Sequence, residues 1–117
     1  MAKVAVLCWE ESRPWVSSLR QNGFSVPWVE EPKGDVHRQI PGVEPDVIVV
    51  DMTRMPERGK QMVTDLANRG SITGVPVILV SEKASASRGL KGKVKNLTVT
   101  APGELIKTVK AILAASN

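Results

Sequence analysis

Residues 45–51, PDVIVVD, and residues 75–81, VPVILVS, decide how this chain is read. In the first, Val47, Ile48, Val49 and Val50 form an unbroken apolar run that ends on Asp51. A strand with one wet face alternates apolar and polar residues, so a continuous branched run means burial on both faces, as in a central parallel strand. Such a strand needs a helix over it. Between the two runs, Glu57–Asn68 has helical spacing, with Met62, Val63, Leu66 and Ala67 on one side and Arg69-Gly70 at its end. The segment reads as strand, crossover helix, strand.

The same alternation extends in both directions. Lys3–Cys8 (KVAVLC) is a second buried-strand run. Ser12 can cap a helix with Pro14 in its first turn, Trp15, Val16 and Leu19 on one side, and a glycine stop at Asn22-Gly23. Ser25–Val29 follows as a strand that Pro27, lacking an N–H, pushes to a sheet edge. A short helix is expected near Asp35–Ile40. Towards the C-terminus, Gly89 and Gly92 leave the segment KASASRGLKGK at most a short helix. Leu97–Ala101 is the fifth strand. Glu104–Ala115 is an amphipathic helix with Leu105, Ile106, Val109, Ile112 and Leu113 inward and Lys107 and Lys110 outward. Together these predict one α/β domain over residues 1–117, with a mostly parallel sheet and helices on both faces. In such sheets function sits at the carboxyl ends of the strands, here Cys8–Glu11, Asp51–Arg54, Ser81-Glu82 and Thr100–Pro102.

Composition removes several classes of function. At 117 residues, 42% hydrophobic and 24% charged, the chain is of ordinary globular type and not disordered or collagen-like. No apolar run approaches the roughly 20 residues of a membrane span. The start, MAKVAVLCWEES, lacks a secretory cleavage site, so a cytoplasmic protein is expected. One cysteine excludes an internal disulfide, and no Cys/His cluster offers a zinc site. Cys8 ends a strand as a phosphocysteine would, yet the loop after it, WEESRP, sets two acids beside the thiol and lacks the C-x5-R spacing, which leaves a structural role. His37 is the only histidine and has no patterned Ser or Cys partner, and no phosphate-binding glycine loop exists.

Charge is segregated along the chain. Residues 1–46 carry five basic and seven acidic side chains, and residues 47–117 carry eleven and five. Lys83, Arg88, Lys91, Lys93 and Lys95 form the strongest cluster, with no acid among them. It could neutralise phosphates, but it has no aromatic residue for base stacking and no recognisable nucleic-acid module, so a solvated or partner-facing segment is expected. The three tryptophans, Trp9, Trp15 and Trp28, are read as packing residues, with a partner patch as the alternative.

With PDVIVVD, the MP and glycine after it, VPVILVS with its terminal hydroxyl, and a last strand ending in proline, the chain resembles a response-regulator receiver domain over essentially its full length. The resemblance implies a flavodoxin-like fold, a three-layer sandwich around a five-stranded parallel sheet in the order 2-1-3-4-5. It implies a phosphoacceptor at Asp51, phosphorylated by a histidine kinase in a two-component phosphorelay, and a phosphoryl-reading hydroxyl at Ser81. Gly59 falls eight residues after Asp51 as the family pattern asks, and Pro56 comes one residue late.

The family's charge-handling groups are incomplete in this chain. Receivers hold Mg²⁺ with the phosphoacceptor and an acidic pair after the first strand, where Cys8-Trp9 stand here. Only Glu10 and Glu11, further along, could join Asp51 as metal ligands. The lysine that ends the fifth strand in receivers falls at Ala101. An indole at Trp9 would plug the metal pocket. The implied function is that of a degenerate stand-alone receiver, a pseudo-receiver that is not an enzyme, needs no cofactor and signals through protein contacts. The alternative is a working phosphoacceptor that uses Mg²⁺. The family's signalling face would include Lys83, Arg88, Lys91, Lys93 and Lys95 with Lys107 and Lys110, which suits an acidic partner or a homodimer and not a membrane.

Overall fold

The computed structural model describes residues 3–8, 14–30, 42, 44–52, 56–68, 74–81 and 97–116. Five strands, β1 (Lys3–Leu7), β2 (Ser25–Glu30), β3 (Val47–Asp51), β4 (Val77–Val80) and β5 (Leu97–Thr100), form one parallel sheet in the order β2-β1-β3-β4-β5. Among the described residues three helices cover it: α1 (Pro14–Gln21), α2 (Pro56–Asn68) and α3 (Leu105–Ser116). This is the flavodoxin-like arrangement that the receiver resemblance implies.

Strand alternation divides the core into two layers. Ala5, Leu7, Ile48, Val50, Met52, Val77 and Leu79 project to one side and pack with Val63 and Leu66 of α2. Val4, Val6, Cys8, Val47, Val49, Ile78 and Val80 project to the other and pack with Trp15, Val16 and Leu19 of α1 and Leu105 and Val109 of α3. The run Val47–Val50 is therefore buried from both sides, which is why it carries no polar residue.

The ends of the elements follow local chemistry. At the close of α1, the Gly23 N–H donates to the Arg20 carbonyl at 3.1 Å and the Phe24 N–H to the Leu19 carbonyl at 3.1 Å. This paired closure needs a left-handed residue, and Gly23 supplies it at φ 88°. Pro27 acts as expected of an edge residue. Lys3 pairs with Ser25 and Ala5 with Trp28, so β2 carries an extra residue where the proline cannot donate to the ladder. Pro76 keeps β4 from starting at Val75, although its carbonyl still accepts from the Ile48 N–H at 2.9 Å. A single 3₁₀ turn, Pro102–Glu104, precedes α3 and replaces the first helical residue expected at Glu104.

No helix among the described residues is long and apolar enough to cross a membrane. The helices expected near Asp35–Ile40 and within residues 83–93 lie outside the described residues.

Candidate functional site at the carboxyl edge of the sheet

The strand register brings the expected phosphoacceptor and hydroxyl to one edge. Asp51 is opposite Val80 on β4, and Val80 is opposite Thr100 on β5. On the other flank, one step beyond the Leu7–Val50 pair sets Cys8 beside Asp51. Cys8, Asp51, Val80 and Thr100 thus form a row across the sheet, and strand alternation puts this row on the α1/α3 side. Ser81 follows β4, buried, with its N–H donating to the Thr100 carbonyl at 2.8 Å. The Met52 N–H donates to the Val80 carbonyl at 2.9 Å, which continues the β3–β4 ladder one residue past Asp51.

Burial is the main property of this edge. Asp51 is 0% exposed and Cys8 is 1% exposed. An in-line displacement needs a carboxylate oxygen that a phosphodonor can reach. As folded, Asp51 presents none to solvent. Its two neighbours in the row are a thiol and an isopropyl group, neither of which carries positive charge. Ala101, at the place where the receiver resemblance puts a lysine, is exposed and has only a methyl group.

Two contacts that sequence reading does not supply shape the surroundings. A Cβ built on Gly59 of α2 would fall on the Sδ of Met52, with the Met52 Cε 3.3 Å and the Val50 Cγ1 3.7 Å away. The glycine thus lets α2 lie close against the residue that follows Asp51. At the far side, the hydroxyls of Thr100 and Thr108 are 2.9 Å apart, and the Thr108 hydroxyl donates to the Glu104 carbonyl at 2.9 Å. Thr108 spends its one proton there, so Thr100 is the donor between the two. The signal for the first contact was a glycine inside an otherwise good helix; the second, joining residues eight apart across a turn, left none.

The Mg²⁺ that the receiver resemblance implies needs several hard oxygen ligands in near-octahedral order. Among the described residues no group of three or more His, Cys, Asp or Glu is assembled. The donor nearest to Asp51 in register is the soft sulfur of Cys8. Of the ligands expected for it, Asp51 is described, and Glu10 and Glu11 lie outside the described residues. Trp9, Glu10, Glu11, His37, Arg54, Lys83, Arg88, Lys91, Lys93 and Lys95 lie outside the described residues, as does the side chain of Trp28. Trp15 is buried against the α1/α3 side, in the packing role expected of it.

No family model matches the chain, and no curated protein matches it.

Proposed function

We propose that this chain is a receiver-like module that regulates by binding a partner protein, with phosphotransfer to Asp51 weakened or lost. The observation that carries the reading is the complete burial of Asp51 at the carboxyl edge of the sheet, together with an alanine, Ala101, directly after the fifth strand. A phosphoryl group brings charge that cationic groups must hold in the transition state. Each such contact that is missing costs on the order of 3 kcal/mol, or about a hundredfold in rate. The cationic partner expected at residue 101 is absent, because Ala101 stands there. What the described residues form is an α/β scaffold with helices on both faces of the sheet, and that suits recognition better than catalysis.

The experiment is incubation with acetyl phosphate and Mg²⁺ followed by intact mass. The expected result is no stoichiometric phosphoryl adduct. An adduct that forms on the parent chain and disappears in Asp51→Asn overturns the reading in favour of a working phosphoacceptor.

A further inference from the structure

We draw no further inference here: the strongest candidate, the group of buried polar side chains that Asp51, Ser81 and Thr100 form among the described residues at the carboxyl edge of the sheet, belongs to the site already described.

Discussion

The Thr100 hydroxyl, at the buried end of β5, donates to the Thr108 hydroxyl of α3 at 2.9 Å, and Thr108 passes its own proton to the Glu104 carbonyl. Among the described residues the Thr100 hydroxyl also faces the Ala101 carbonyl at 3.4 Å, a distance at which a hydroxyl bond contributes little. This relay makes the two substitutions unequal. Thr108→Val strands the buried hydroxyl of Thr100 and should cost about 1–2 kcal/mol, whereas Thr100→Val removes the polar group with its need and should cost less. The double variant should be no less stable than Thr108→Val alone. Denaturant unfolding of the four proteins checks this; strict additivity would show that the two hydroxyls are not coupled.

Gly59 is a second place where ordinary helix rules reverse. In an exposed helix interior Gly→Ala gains about 1 kcal/mol, because alanine has the better propensity. Here the added methyl meets the Met52 sulfur, and Met52 is itself buried in the core against α2. Overpacking of this kind typically costs about 1–3 kcal/mol, so Gly59→Ala should destabilise by about 1 kcal/mol net. Met52→Ala opens the space, and in that background Gly59→Ala should turn neutral or stabilising. A Gly59→Ala protein that melts above the parent would show that Met52 yields freely.

Much of this scaffold was legible in sequence because short-range physics decides it. Four apolar residues from Val47 to Val50 cannot be half-exposed, and the glycine after Asn22 can only close a helix, so both features follow without tertiary information. Asp51 and Ser81 reach the same edge for the same reason: each ends such a run. Met52 with Gly59, and Thr100 with Thr108, depend on how helices seat on the sheet, and pattern alone does not encode that. The delayed start of β4 and the extra residue in β2 are proline effects whose presence was readable but whose register was not.

Gly23 gives a clean contrast with Gly103. A side chain at either position meets nothing within 4 Å, so space is not the issue. Gly23 has φ 88°, where an L-residue is strained, and it closes α1 with two backbone hydrogen bonds. Gly103, in the 3₁₀ turn, has no such positive angle. Gly23→Ala should therefore cost about 1 kcal/mol, and Gly103→Ala should be neutral or slightly stabilising through the unfolded chain. Urea midpoints of the two variants decide it, and equal midpoints would show that the α1 closure adds nothing.

The row that holds Asp51 can be probed through its neighbour Cys8, the only cysteine in the chain. Cys8 is 1% exposed and belongs to the buried layer that includes Trp15, so a thiol reagent reaches it only when the carboxyl edge of the sheet opens. Labelling by dithiobis(nitrobenzoate) should then be at least about a hundredfold slower in the native protein than in denaturant, tracking the opening equilibrium. The same opening would expose Asp51, because the two residues are adjacent in register. If acetyl phosphate modifies Asp51 at all, its rate should follow the Cys8 labelling rate as urea is raised below the unfolding transition. Rapid native labelling, at a rate close to that in denaturant, would mean that this edge is open and that burial does not restrain phosphotransfer.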